Sequence, residues 1–366
     1  MNAKQKPLIF KHQIIDPRTT GTKNDVCLVG DITGNGRNDI VVGSKYGEDS
    51  LVWYENPTWK RHIIGTAHLE AGGMLVDITG NGKLDMVAGA PMDSGGPYIS
   101  GYTNTGLFWY ECPEDPRQRW RSYTITSNFR KYHDQAADDV DGDGEIEIVF
   151  ASQGGRVLAY YDIPADPRVS PWPDDHFHVI AENISVEGVR IADIDGDGEN
   201  EIVAGPNIFK RNADGTWART ELMSDIDART CIAVGDLDGD GKLDIVFTEG
   251  ESYPAKVVWL KNPGWEVTLL GDDFFHPHSL EVADFDGNGM LDIFVGEMGL
   301  GGYATSREVV YRNQGGGQFK MEVVGHYATH GAKVADMTGN GLIDIVGKPY
   351  DSGNDQVDLL INCTEV

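Results

Sequence analysis

Apolar residues recur along the chain in runs of four to eight, rich in β-branched and aromatic side chains and separated by Gly, Pro, Asn and Asp. Runs of this length and composition predict strands. They come in sets of four. The first, such as Cys27-Leu28-Val29 or Ile232-Ala233-Val234, leads into an acidic, glycine-bent loop, and the second, such as Ile40-Val41-Val42, leaves it. The third is aromatic: LVWYEN from Leu51, GLFWYEC from Gly106, VLAYYD from Val157, KVVWLKN from Lys256. The fourth alternates, as in WKRHII from Trp59, HFHVIA from His176 and FKMEVV from Phe319. No stretch has a convincing helical period.

The acidic loop occurs seven times. Asp31 opens DITGNGRND, Asp77 DITGNGKLD, Asp139 DVDGDGEIE, Asp193 DIDGDGENE, Asp236 DLDGDGKLD, Asp284 DFDGNGMLD and Asp336 DMTGNGLID. The intervals lie between 43 and 62 residues, and a repeat of that length over a whole chain indicates a solenoid, a propeller or an array. Four strands in each of seven repeats predict an all-β fold, a seven-bladed β-propeller, as a single domain over residues 1–366. The seventh repeat supplies only three strands. The N-terminal segment FKHQII, within about residues 8–15, is therefore expected to complete blade seven and close the ring, which removes two exposed sheet edges.

Oxygen-bearing residues at alternate positions of a Gly-bent loop are what a hard cation requires. The expected ligands are Asp31, Asn35 and Asp39; Asp77, Asn81 and Asp85; Asp139, Asp141, Asp143 and Glu147; Asp193, Asp195, Asp197 and Glu201; Asp236, Asp238, Asp240 and Asp244; Asp284, Asp286, Asn288 and Asp292; and Asp336, Asn340 and Asp344. Ca²⁺ is the expected ion, with Mg²⁺ as the alternative, in a structural role. The Asp31, Asp77 and Asp336 loops carry Thr at the third position and are expected to bind more weakly or to prefer another ion.

The net charge of −28 changes the picture of partners more than of fold. It argues against nucleic acid and anionic membranes. The loop positions hold 21 of the acidic residues, so seven divalent ions would offset half of it. No apolar run approaches the ~18 residues of a membrane span. The N-terminal MNAKQKPLIF lacks a signal-peptide core, which leaves a cytoplasmic protein or one whose leader is absent from this chain. Cys27, Cys112, Cys231 and Cys363 are too few and too scattered for a disulfide framework or a zinc site.

The D-x-[DT]-G-[DN]-G-x-x-[DE] loop between two strands resembles the FG-GAP or VCBS-type repeat, the calcium-binding blade also found in integrin α-subunits. The resemblance covers essentially the whole chain. The loop is not an EF-hand, which needs helical flanks and a Glu at position twelve.

Candidate chemistry lies at the opposite end of the first strands. Counting back six or seven residues from each loop gives Asn24 and Asp25, Glu70, His133, Glu187, Arg229, His278 and His330, with His68, Tyr132, Asp134, Arg190 and His276 adjacent. The second strands end on the same face with Lys45, Tyr46, Gln153, Asn207, Glu249, Glu297, Lys348 and Tyr350. In a propeller these positions ring the mouth of the central channel, a natural concavity. There is no nucleophile elbow, phosphate loop or dinucleotide fingerprint. His, Tyr, Arg and Lys together suit proton transfer beside a carbonyl or carboxylate, hence β-elimination on a carbohydrate. His133 or His278 is the expected base, Arg229 or a bound metal the anion holder, and Tyr132, Tyr350 or another His the acid, with Lys348 and His68 in the same ring. Alternatively His133, His278, His330 and Glu187 hold a divalent metal in the channel, or Glu70 and Glu187 serve a glycoside hydrolase. A non-catalytic propeller binding glycan or protein through this face is the reading from another class.

Two further resemblances point toward elimination. Propeller-type polysaccharide lyases, such as ulvan and rhamnose–glucuronate lyases, carry His, Tyr and Arg at the propeller mouth, and aldos-2-ulose dehydratase has a similar metal-containing propeller. They imply a keto-sugar or a uronic-acid-containing glycan as substrate. Trp53-Tyr54 and Trp109-Tyr110 are expected to pack between blades, and Tyr98, Tyr102 and Tyr303 are candidates to stack on sugar rings.

Overall fold

The structure is a computed structural model that describes residues 6–91, 106–300, 306–350 and 355–365. It contains seven four-stranded antiparallel sheets. Blade one is Thr22–Gly30, Asp39–Tyr46, Leu51–Glu55 and Lys60–Gly65; blade two Met74–Val76, Asp85–Gly89, Leu107–Glu111 and Arg121–Thr126; blade three Tyr132–Asp138, Glu147–Ser152, Val157–Asp162 and Phe177–Glu182. Blade four is Val189–Ala192, Glu201–Ala204, Asn207–Arg211 and Trp217–Glu221; blade five Thr230–Gly235, Asp244–Glu249, Ala255–Lys261 and Glu266–Phe274; blade six Ser279–Ala283, Asp292–Gly296, Glu308–Asn313 and Phe319–Gly325. Blade seven is Lys333–Ala335, Asp344–Gly347 and Val357–Asn362, completed by Phe10–Asp16. The one helical turn among the described residues is Asp174–His176, which takes His176 out of the expected fourth strand of blade three.

The first strands of consecutive blades adjoin one another all the way round, blade seven against blade one included, so they enclose the channel. The second strands are buried on both faces, as Asp244–Glu249 is throughout, and so read as continuous apolar runs rather than alternating ones. Outer strands such as Trp217–Glu221 face solvent.

The apolar core lies between blades. Val41 and Trp53 of blade one share a buried cluster with Met86 and Tyr110 of blade two. Trp53 and Trp109 are fully buried, and each donates its indole N–H to a carbonyl of the next blade, Pro116 at 3.1 Å and Pro167 at 3.0 Å. An asparagine latch adds to this. At the end of the third strand or just past it, Asn56, Asn262, Asn313 and Asn362 donate Nδ2–H to the preceding blade at Met337, Ile194, Leu237 and Phe285, at 2.7–2.8 Å.

The ring closes as expected. Phe10–Asp16 pairs antiparallel with Val357–Asn362, Phe10 lying opposite Asn362. The amide of Ile9 donates to Thr364 Oγ1 at 3.0 Å, and Lys6 pairs with Glu365 at 3.0 Å.

Candidate metal centre and active site in the channel

The seven loops share one internal hydrogen-bond pattern. The first Asp accepts backbone N–H groups from within its own loop, as Asp236 does from Gly239, Asp240 and Gly241. Fifth-position asparagines (Asn35, Asn81, Asn288 and Asn340) accept the N–H two residues on. The ninth residue is buried and accepts the N–H of the second loop residue, and in most blades also the N–H that follows the third strand. Asp39 thus accepts from Ile32 at 3.0 Å and Asn56 at 2.8 Å. The closing carboxylate is therefore a backbone acceptor as well as a candidate cation ligand, a structural duty the spacing alone does not reveal.

Carboxylates of the first, third and ninth positions converge in blade three (Asp139, Asp141, Glu147), blade five (Asp236, Asp238, Asp244) and blade six (Asp284, Asp286, Asp292). In blade four the converging set is Asp193, Asp195 and Asp197. The Thr-bearing loops form no such set among the described residues. Burial, reinforced by neighbouring loop carboxylates, raises Glu147 to about 8 and Asp292 to about 7, and raises Asp39 and Asp85 to about 6. A bound cation would offset this crowding of negative charge, so the residues fit one.

At the other end of the strands, His133, Glu187 and His278 converge in the channel, each with a ligand atom within 4.8 Å of the others. All three are at least 94% buried. His133 Nε2 lies 3.4 Å from Glu187 Oε1, and His278 Nε2 lies 3.6 Å from Glu187 Oε2 and 3.4 Å from Glu251. These are ion-pair distances without hydrogen-bond geometry. Glu187 Oε2 and His278 Nε2 have no hydrogen-bond partner. Buried polar atoms are nearly always satisfied, so two orphans facing one another mark a place for a ligand. Two imidazoles and a carboxylate are the donor set of a divalent transition-metal ion.

Second contacts orient this trio. Asp134 accepts from His133 Nδ1 at 2.6 Å and from the Gly188 amide at 3.0 Å, the carboxylate–histidine arrangement that fixes a metal-ligating imidazole. Gly188 has φ +73, and a Cβ there would sit 2.4 Å from the Thr230 carbonyl, so glycine lets blades four and five close up beneath Glu187. Burial works against the charges, yet Glu187 and Asp134 raise His133 to about 9, and the two histidines hold Glu187 near 2.

A second polar group adjoins the first. His330 stacks on His278 with ring centroids 4.2 Å apart. Burial, His278 and Lys348 hold His330 well below the usual imidazole range. Lys348 is fully buried and donates to the carbonyls of Asn24 at 2.6 Å, Asp25 at 3.1 Å and His330, and burial lowers it to about 8. Lys45 is 2.9 Å from Asp25 and 3.1 Å from Glu70, and 3.4 Å from the Tyr350 hydroxyl. Burial and Asp25 raise Tyr350 to about 12.

Of the ten residues singled out as catalytic candidates, His133, Glu187, His278, His330, Lys348, Glu70 and Tyr350 thus fall into these two adjoining groups. The other three have different contacts. Tyr132 is fully buried in the apolar cluster of blades two and three, its hydroxyl accepting the Phe129 N–H at 2.9 Å, which makes it a packing residue. His68 binds the Lys45 carbonyl through Nδ1 at 2.8 Å. Arg229 is half exposed and forms a forked pair with Asp227. Glu70 and Glu187 are each committed to cationic partners rather than set as a matched pair of acids. Tyr98, Tyr102 and Tyr303 lie outside the described residues, as does the segment from Pro91 to Gly106 apart from its two ends.

Glu251 was not reached by counting back along strands, because it sits in the turn beyond the second strand of blade five. An acid two residues past Glu249 was its only sequence signal. Cys231, Gln135 and Thr230 also line the channel, in a cavity of ≈ 90 Å³.

Residues 31–109, 139–204 and 236–295, more than half of the chain, match the FG-GAP-like repeat. The chain belongs to the FG-GAP-like repeat family. No curated protein matches it. Among solved structures, an ancestral GH74 enzyme is similar with a TM-score of 0.63 at 11% identity, over 95% of this chain and 49% of the enzyme. This FG-GAP-like chain therefore spans about half the length of that protein. The rhamnogalacturonan lyase YesW is similar with a TM-score of 0.52 at 14% identity, over 97% of this chain and 76% of the lyase. At these identities the likeness is one of fold. No helix among the described residues is long and apolar enough to cross a membrane.

Proposed function

We propose that the channel is the active site of a metal-dependent carbon–oxygen lyase that acts by β-elimination on a keto-sugar or a uronic-acid-containing sugar. The observation that carries the reading is the buried His133–Glu187–His278 trio with its two unpartnered atoms. The FG-GAP-like loops whose first, third and ninth carboxylates converge, those of blades three, five and six, would hold Ca²⁺ and stiffen the opposite face.

A divalent ion on the trio would supply Lewis-acid polarisation of the sugar's carbonyl or carboxylate, which acidifies the adjacent C–H. The protein's own groups would do the rest. Asp134 keeps His133 in one tautomer and orientation. Arg190, which lines the channel, suits an anionic part of the substrate. Glu251 stays ionised beside His278, its carboxyl lowered by that imidazole against the effect of burial, and is the candidate base for the α proton. As the C–H pair becomes the new C=C bond, the β C–O bond breaks with its electrons going to oxygen. Tyr350, kept protonated at neutral pH, is the candidate donor to that oxygen.

The test is an ultraviolet-absorbance screen of the metal-loaded protein against keto-sugars and uronic-acid glycans for the conjugated unsaturated product. Glu187→Gln and His278→Ala should abolish the signal and release the channel ion while the fold persists. Absence of product across the panel, from a folded and ion-loaded protein, would overturn the lyase assignment in favour of a binding propeller.

A further inference from the structure

We propose that the acidic loop of blade four is closed by a built-in cation, the ammonium of Lys210, and takes no divalent ion. A family pattern of one ion per loop would place one there, since Asp193, Asp195, Asp197 and Glu201 make its ligand set complete in sequence. The geometry points elsewhere. Lys210 Nζ lies 2.5 Å from Asp195, 2.7 Å from Asp197 and 2.9 Å from Glu201, the third, fifth and ninth positions at once. The first position does not set this loop apart: Asp193 accepts backbone N–H groups from Gly196, Asp197 and Gly198, as Asp236 does from Gly239, Asp240 and Gly241. A Ca²⁺ ion needs six to eight oxygens at about 2.3–2.6 Å, and it would draw on the oxygens the ammonium already engages while repelling that ammonium.

The arrangement follows from strand register. Lys210 is the residue of the third strand that faces the ninth loop position, one step beyond the Ile202–Phe209 pair. The same station is Glu55, Glu111 and Asp162 in blades one to three, Lys261 and Arg312 in blades five and six, and Ile361 in blade seven. Lys261 reaches Asp238 and, at 3.5 Å, Asp240, but not Asp236 or Asp244. Arg312 pairs with Asp286 and turns its other nitrogen to Glu322. Lys210 alone among these spans three ligand positions. Correspondingly, the ninth carboxylate joins the converging set in blades three, five and six but not in blade four. The four-carboxylate loops of blades three and four thus look alike in sequence and differ in what neutralises them.

The experiment counts Ca²⁺ ions bound per chain by native mass spectrometry, with circular dichroism to confirm folding. Asp141→Ala in blade three, where Asp141 belongs to the converging set, is the calibrating change and should lose one ion. Asp195→Ala in blade four should keep the wild-type count, and Lys210→Met should gain one ion. Lys210→Gln replaces Lys210→Met if the latter does not fold. Loss of one ion in Asp195→Ala, or an unchanged count when Lys210 is neutralised, would overturn the proposal.

Discussion

Glu308 shows how much a single buried carboxyl can govern. It sits on the third strand of blade six, 1% exposed, and burial together with Asp358 pushes its pKa well above the usual range. The native state therefore keeps this proton to a higher pH than the unfolded chain does. The unfolded state binds fewer protons above about pH 4.5, so stability falls as pH rises through that point and toward the raised native value. Glu308→Gln should remove this dependence, by up to about 1.4 kcal/mol per pH unit. Thermal melts of both proteins at pH 5 and pH 8, with Ca²⁺ saturating so that loop carboxylates stay ionised, would measure it; equal slopes would refute the assignment. At this scale the site was partly legible. Counting from the loops reached His133, Glu187 and His278 because strand register carries side chains to a common depth. It could not tell that Tyr132, one residue from His133, points into the interface between blades. Neighbours in a strand face opposite ways, and a polar tip on an aromatic body gives no sign of which side is core.

Strands and their caps are where the repeat was most readable, since each loop announces both of its flanking strands. Less readable was how the elements are stitched. The asparagine after the third strand looks like an ordinary turn residue, yet Asn262 Nδ2 donates both to Ile194 of blade four at 2.7 Å and to Leu243 of its own blade at 3.1 Å. Asn262→Ala leaves two buried carbonyls short of a partner, and a loss of about 1–3 kcal/mol is expected. The urea midpoint reads this directly, and an unchanged midpoint would show that water replaces the amide. Lys210 was missed for a related reason. Its meaning depends on a cross-strand partner, and a motif read along one strand does not contain the strand beside it.

For the molecule as a whole, cations held by the loops would couple to folding by mass action. Each occupied site adds about 2.7 kcal/mol at a hundredfold excess of ion over its Kd. Chelation should therefore lower the melting temperature, with loss of ion checked by metal analysis; an unchanged melting temperature in ion-free protein would remove the structural role of the loops. The closure of the ring has a mechanical consequence. Phe10 and Asn362 are paired at the same end of the outer two strands of blade seven, so the chain leaves the ring at both of its ends from one point. A force applied between those ends meets the hydrogen bonds of this pair one after another, as a zipper is opened, rather than all together in shear. Blade seven would thus yield first and at low force, and the six blades beyond it, each held by its own loop and by its neighbours, would feel the load only after the ring had become an open arc.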